Sequence, residues 1–261
     1  MLIIVALTLI YSNNLFWRDM IRLMVLDMAG TTVRDKNEVE DCFLKAAKQS
    51  NLKTTPQRVN DLQGISKLTV ISTLWDEFIG KDHPDFDVNV QKTFLLFKEI
   101  LENHYLTQPV YAAFKAEETL QWLREKEIKI ALTTGFYRKV TNIILNKLGW
   151  DKHLDAQYFN ASGKAKIDLS LTPDETNGIG RPDAAMIFKA MSYFGITDPK
   201  EVANIGDTPS DLLSGKAANV QFSLGVLNGT HTKESLEEYP NHGLLNSLAQ
   251  LPEFLENHSV D

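Results

Sequence analysis

The sequence is poor in several things, and each shortage excludes a class of protein. There is one cysteine in 261 residues, Cys42, so no intramolecular disulfide can form. A lone thiol fits a reducing compartment. Without a paired histidine motif it reads as buried and idle, not as a nucleophile. The N-terminal apolar run Leu2 to Ile10 covers nine residues, against the ~20 that a membrane-crossing helix needs. It has no basic segment before it and no small-x-small cleavage site after it, so it does not read as a secretion signal. Met20 and Met24 lie just before the first clear strand, so residues 1–19 are expected to be an extension, from a mis-assigned start or dispensable, with a membrane anchor as the minority reading. Positive charge is also short: 27 Lys and Arg stand against 34 Asp and Glu, a net charge of -7. That balance argues against a general nucleic-acid or membrane-surface binder. The expected setting is cytoplasmic, with a small-molecule substrate, no nucleic acid and no membrane. An anionic substrate must then be captured by local positive groups or a metal ion.

What is present is an ordinary globular composition, 43% hydrophobic and 23% charged, in a chain long enough for one large domain or two smaller ones. Leu23 to Leu26 is a short apolar run ending in Asp27, followed by the tight-turn residues Gly30, Thr31 and Thr32. From about Glu38 to Leu101 apolar residues recur at helical spacing, with Pro56 at a helix start and Gly80 and Pro84 as interruptions. Strand signals are absent there. After Gln108-Pro109 helices alternate with apolar strands at 128–132, 202–205 and 222–226, with helices expected at 139–148 and 182–194. Such alternation implies a parallel sheet covered on both faces. The expected fold is therefore α/β: a Rossmann-like parallel-sheet core, residues 20–36 and 110–261, interrupted by a small all-helical cap, residues 37–109. No internal repeat or low-complexity segment appears.

The chemistry-bearing residues sit at strand ends. An aspartate ending a parallel strand points into the crevice where α/β proteins bind ligands, which singles out Asp27. Thr133, Thr134 and Gly135 follow the second strand and offer hydroxyl and amide groups to phosphoryl oxygens; turn chemistry is the bland reading of such a pair. Arg181, in Gly180-Arg181-Pro182, offers a charge-assisted contact to an anion, though most arginines at such positions are solvated. Ile205-Gly206-Asp207-Thr208-Pro209-Ser210-Asp211 delivers two carboxylates four residues apart, a donor set suited to Mg²⁺. The competing assignment for Asp207 and Asp211 is turn and helix-capping work.

The order Asp27, Thr133, Arg181, Asp207 resembles the four-motif order of the haloacid dehalogenase (HAD) superfamily, from about residue 20 to the C-terminus. The resemblance implies that Asp27 attacks phosphorus, that Thr133 and the groups at Gly30, Thr31, Thr134 and Gly135 hold phosphoryl oxygens with Arg181, and that Mg²⁺ is bound by Asp27, the Ala29 carbonyl, Asp207 and Asp211. Most phosphatases of the superfamily carry a second aspartate two residues after the first, as acid for the leaving group; here that residue is Ala29. Alanine there, and arginine where most members use lysine, are similar to the phosphonoacetaldehyde hydrolase (phosphonatase) and phosphonatase-like branch, as is the Gly225 to Thr232 tail. That likeness implies carbon–phosphorus cleavage, in which a cap lysine condenses with the substrate aldehyde and the iminium accepts the electrons of the broken bond. Lys67, in Gln63-Gly64-Ile65-Ser66-Lys67-Leu68, resembles the branch's lysine. The chain departs from typical phosphonatases at Gln63 (methionine there), Val70 (histidine there) and Phe136 (tyrosine there), which leaves a related 2-oxoalkylphosphonate open as substrate. A homodimer through the cap is implied too. Two other readings stand beside this one: a phosphoglycolate phosphatase-like enzyme acting on a small phosphate monoester, for which His83, His104 and His231 lack a supporting motif, and a non-catalytic ligand-binding relative.

Overall fold

The computed structural model describes residues 21–258; the expected extension at 1–19 lies outside the described residues. Six strands, β1 Leu23–Asp27, β2 Lys129–Thr133, β3 Leu169–Leu171, β4 Val202–Gly206, β5 Phe222–Val226 and β6 Gly243–Leu245, form one sheet in the order β3-β2-β1-β4-β5-β6. Every pairing is parallel. Period-two alternation decides which way each residue points. Met24 and Leu26 of β1, with Ile130, Leu132, Ala203 and Ile205, enter one apolar core. Leu23, Val25, Ala131 and Val202 enter the other, across the sheet. Each large apolar side chain so buried stabilises the fold by roughly 1.5–3 kcal/mol.

Five helices lie between β1 and β2: α1 Glu38–Gln49, α2 Pro56–Asp61, α3 Lys67–Ile79, α4 Phe86–Thr107 and α5 Ala116–Glu125. Their ends follow local chemistry. Thr55 caps α2 by accepting the Arg58 amide at 3.1 Å, with Pro56 in the first turn. Ser66 caps α3, which stops at Gly80 with φ 83°. Phe43 of α1 stacks on Phe97 of α4 with centroids 4.1 Å apart, and the Trp75 indole of α3 donates to Thr93 of α4 at 2.9 Å. The two crossings from sheet to helices run side by side: the Arg34 amide donates to the Tyr111 carbonyl at 3.0 Å and the Ala113 amide to the Thr32 carbonyl at 2.9 Å.

Beyond β2 come α6 Arg138–Leu148, α7 Ala185–Tyr193, α8 Pro209–Ala218, α9 Lys233–Glu237 and α10 Leu251–Asn257. The strands β3 and β6 were not expected from the pattern, because three residues are too few to show a period. The helix expected from Pro182 begins at Ala185. Residues 180–183 are a turn instead, closed by the Asp183 amide on the Gly180 carbonyl at 3.2 Å.

The loop before α3 rests directly on the sheet's end. A Cβ at Gly135 would lie 2.5 Å from the Ile65 carbonyl oxygen and 2.8 Å from that of Gly64, backbone atoms that cannot swing aside. Gly135→Ala is expected to cost about 1–3 kcal/mol and to raise amide exchange at residues 64–67. Wild-type exchange in that loop would contradict the contact.

Candidate active site

The sheet order reverses direction between β1 and β4, and the crevice there, at the strands' carboxyl ends, is where α/β folds bind ligands. Asp27 ends β1 and faces Thr133 in register on β2. Asp207 follows the last residue of β4. The apolar runs that drive these strands into the sheet thus bring the carboxylates together. One oxygen each from Asp27, Asp207 and Asp211 lies within 4.8 Å of the others, and all three residues are buried. Burial raises the Asp27 carboxyl to about 6, with Arg181 opposing and Asp207 adding to the rise.

Asp207 sits in a close-fitting socket. Thr31 Oγ1 donates to its Oδ1 at 3.2 Å, and the amide and hydroxyl of Thr230 donate to its Oδ2 at 2.8 Å each. Having spent its proton on Asp207, the Thr230 hydroxyl accepts from His231 Nδ1 at 3.1 Å, which fixes that ring's tautomer. A Cβ at Gly30 or Gly229 would lie 2.2 Å from Asp207 atoms, so both sides of the carboxylate need glycine. Burial nevertheless raises the Asp207 pKa. Thr230 escaped the sequence reading; its only signal was its place in the glycine-bearing tail after β5.

Arg181 bridges the site. Its guanidinium meets Asp27 Oδ1 at 2.6 Å and also pairs with Asp211 Oδ1. The Nε hydrogen is buried with no partner, a donor left over for an acceptor in the crevice. Asp211 is the third residue of α8 and its other oxygen caps that helix, accepting from the Thr208 amide at 3.1 Å and the Thr208 hydroxyl at 2.6 Å. Capping and site membership therefore coincide in one residue.

The turn after Asp27 differs from expectation. The Gly30 amide donates to the Val33 carbonyl at 2.8 Å and the Thr31 amide to Met28 at 3.1 Å, so both are spent closing the turn. Thr31 instead contributes its hydroxyl, through Asp207. The Thr134 hydroxyl likewise serves its own turn, accepting the Phe136 amide at 3.1 Å. Thr133 is buried at the strand end.

Lys67 opens α3 and is only 6% exposed. Its ammonium lies over the rings of Phe136, at 5.0 Å, and Phe43, at 5.7 Å. Burial first, and then Arg181, lower its pKa to about 8. Beside it a cavity of about 210 Å³ is lined by Ser66, Thr69, Phe94, Gly135 and Tyr137. Val70, one helical turn on, is buried in the apolar core. One carboxyl missed at first is Asp35, between β1 and α1. Its Oδ1 accepts the Glu38 amide at 2.9 Å, its Oδ2 is buried without a hydrogen-bond partner, and burial raises it to about 8.

A lysine that keeps its proton to 10.5 when unfolded but only to about 8 when folded weakens the fold. That penalty, about 3 kcal/mol, is complete below pH 8 and fades as pH rises from 8 toward 10.5. Lys67→Met should therefore melt higher than wild type at pH 7, and the difference should narrow by pH 10. A variant less stable than wild type at both would contradict the strained amine.

Comparison with known proteins identifies the family and the fold. The model of the haloacid dehalogenase-like hydrolases matches residues 21–219. The phosphonoacetaldehyde hydrolase of Bacillus cereus (strain AH187) is 26% identical over 223 residues, 80% of this chain and 77% of its own. Among solved structures, a phosphonoacetaldehyde hydrolase-like protein from Oleispira antarctica has a TM-score of 0.72 at 16% identity, covering 92% of each chain. A predicted phosphoglycolate phosphatase from Haemophilus somnus has a TM-score of 0.68 at 14% identity, covering 90% of this chain and 97% of its own. At such identities the structural likenesses speak for the fold alone. The matched span starts just before β1 and ends just past α8, taking in Asp27, Lys67, Thr133, Arg181, Asp207 and Asp211, and on it the chain belongs to the haloacid dehalogenase-like hydrolase family.

Proposed function

We propose that this chain is a Mg²⁺-dependent hydrolase that cleaves the carbon–phosphorus bond of phosphonoacetaldehyde or a closely related 2-oxoalkylphosphonate. The observation that carries the reading is Lys67: a buried amine set against two aromatic rings, its pKa lowered to about 8, close enough to Asp27 and Asp207 to feel their charges. A phosphate-ester phosphatase has no use for such an amine and needs an acid where this chain has Ala29. The helical segment 37–109 acts in this reading as a cap over the core, carrying Lys67 to the crevice.

In the mechanism Lys67, as the free amine, adds to the substrate carbonyl and, with loss of water, becomes an iminium. Asp27 attacks phosphorus, and the electrons of the breaking carbon–phosphorus bond flow into the iminium to leave an enamine. Water then releases phosphate from Asp27, and protonation and hydrolysis of the enamine free the aldehyde and Lys67. Arg181 fixes one Asp27 oxygen and offers its unpartnered Nε hydrogen to the phosphoryl group. Thr133 adds a hydroxyl at the same strand end.

The donor set suits a divalent cation. Three buried carboxylates face each other, the donors are all oxygen, and Arg181 pairs with only two of the three. Asp27, the Ala29 carbonyl, Asp207 and Asp211 would hold Mg²⁺. When bound, the ion supplies charge neutralisation at the phosphoryl oxygens.

Cyanoborohydride with phosphonoacetaldehyde should fix a reduced adduct on Lys67, read by peptide mass spectrometry. Labelling at another lysine would remove its assigned role. Asp27→Asn should lower phosphate release by about 10³-fold or more, since an amide cannot accept the phosphoryl group; activity near wild type would end the nucleophile assignment.

A further inference from the structure

Arg181 reaches the crevice from a loop, the stretch between β3 and α7, and its side chain is held by the two carboxylates it serves, Asp27 and Asp211. The loop itself must be fixed from elsewhere, because each residue of irregular backbone has many conformations to lose. It opens with a 3₁₀ turn, Pro173–Thr176, capped by Thr172. The residues after that turn fold back on it. The Gly178 amide donates to the Pro173 carbonyl at 2.8 Å and the Ile179 amide to the Thr176 carbonyl at 3.0 Å. The Thr176 hydroxyl in turn donates to the Ile179 carbonyl. A Cβ at Gly180 would lie 3.2 Å from Pro173 Cγ, so the backbone beside Arg181 rests on the turn.

One residue from another element fastens this unit. Arg138 opens α6, the helix that follows β2. Its Nε and Nη2 donate to the two oxygens of Glu175 at 2.9 and 2.7 Å, a bidentate pair. The same guanidinium donates to the Ser170 carbonyl at 2.8 Å and to its hydroxyl at 3.1 Å, and lies 3.8 Å from the centre of the Tyr158 ring. The Arg138 amide donates to Asp174 Oδ2 at 2.8 Å. Glu175 passes the grip on, accepting the Thr172 amide at 2.7 Å and the Thr172 hydroxyl at 2.9 Å. Burial opposes a charge on Glu175, but Arg138 and Thr172 outweigh it and lower its pKa. An exposed ion pair contributes little; here the two side chains are only 12% and 22% exposed.

We propose that Arg138 is a positioning residue for the phosphoryl site: by gripping Glu175 it sets the 172–180 loop, and with it the place from which Arg181 presents its guanidinium to the phosphoryl oxygens. The inference rests on the reading of Arg181 as the phosphoryl-binding charge, and not on the Schiff base. A distant charge would act on an anion by its sign alone, so that losing Arg138 weakens phosphate and losing Glu175 strengthens it. A grip behaves differently. Breaking it from either side frees the loop, and lysine, which keeps the charge but lacks the fork, does not replace arginine.

The test is the affinity for inorganic phosphate in the presence of Mg²⁺, measured by calorimetry below each variant's melting temperature. Arg138→Lys and Glu175→Gln should each weaken phosphate about 10-fold. Arg181→Lys should weaken it too, and in that background Arg138→Lys should cost less than about twofold more, because both act through one contact. Glu175→Gln, nearly isosteric, carries the test should Arg138→Lys fail to fold. Wild-type affinity in Arg138→Lys, an undiminished loss in the Arg181→Lys background, or tighter phosphate in Glu175→Gln would overturn the positioning role while leaving Arg181 its own. Arg181→Lys binding phosphate as wild type does would overturn both.

Discussion

Charge has to be balanced inside a crevice from which most water is excluded, and the site is arranged around that constraint. Asp27 and Asp207 are brought together by adjacent strands, and Asp211 joins them from the first turn of α8. Buried carboxylates are costly unless paired or hydrogen-bonded. Arg181 spans two of them, and Thr31 and Thr230 supply three hydrogen bonds to the third. The glycines at 30 and 229 follow from the same demand, since any side chain there would occupy the space of the Asp207 carboxylate. Even so burial raises the pKa values of Asp27 and Asp207, so these partners do not fully offset the loss of water.

Lys67 meets the constraint from the opposite side. Its amine is pressed against Phe43 and Phe136 rather than solvated, and burial together with Arg181 depresses its pKa despite the nearby carboxylates. A surface lysine would be charged and unreactive toward a carbonyl; this one is poised between its two forms. The contact of Gly135 with the Gly64 and Ile65 carbonyls holds the loop before α3 against the core, and so sets where that amine sits.

Much of this was legible in the residues. Short apolar runs and abrupt glycine or threonine turns mark β1, β2, β4 and β5, and the helical spacing between Glu38 and Leu101 marks the inserted helices. Asp27, Thr133, Arg181 and Asp207 lie far apart in the chain, yet strand-end placement alone put all but Arg181 at one edge of a parallel sheet. What stayed hidden was short or bland. The strands β3 and β6 have three residues each, too few for a period. The work of Thr230 depends on where the tail after β5 passes, which no local pattern encodes. Asp35 reads as one more charge in a polar turn, and only burial distinguishes it. The amides of Gly30 and Thr31 looked available because a sequence shows donors and not their partners; the turn uses them itself.

Ala29 ties these features together. Without a carboxyl there, an alkoxide leaving group has no acid, whereas a carbanion leaving group needs an electron sink, and Lys67 can become one. The most direct test is a comparison of Mg²⁺-dependent phosphate release from phosphonoacetaldehyde and from phosphoglycolate, in wild-type protein and in Lys67→Met. The account predicts that the phosphonate is turned over with the higher kcat/KM and that Lys67→Met abolishes this activity. Phosphoglycolate as the better substrate, hydrolysed equally well by Lys67→Met, would contradict it.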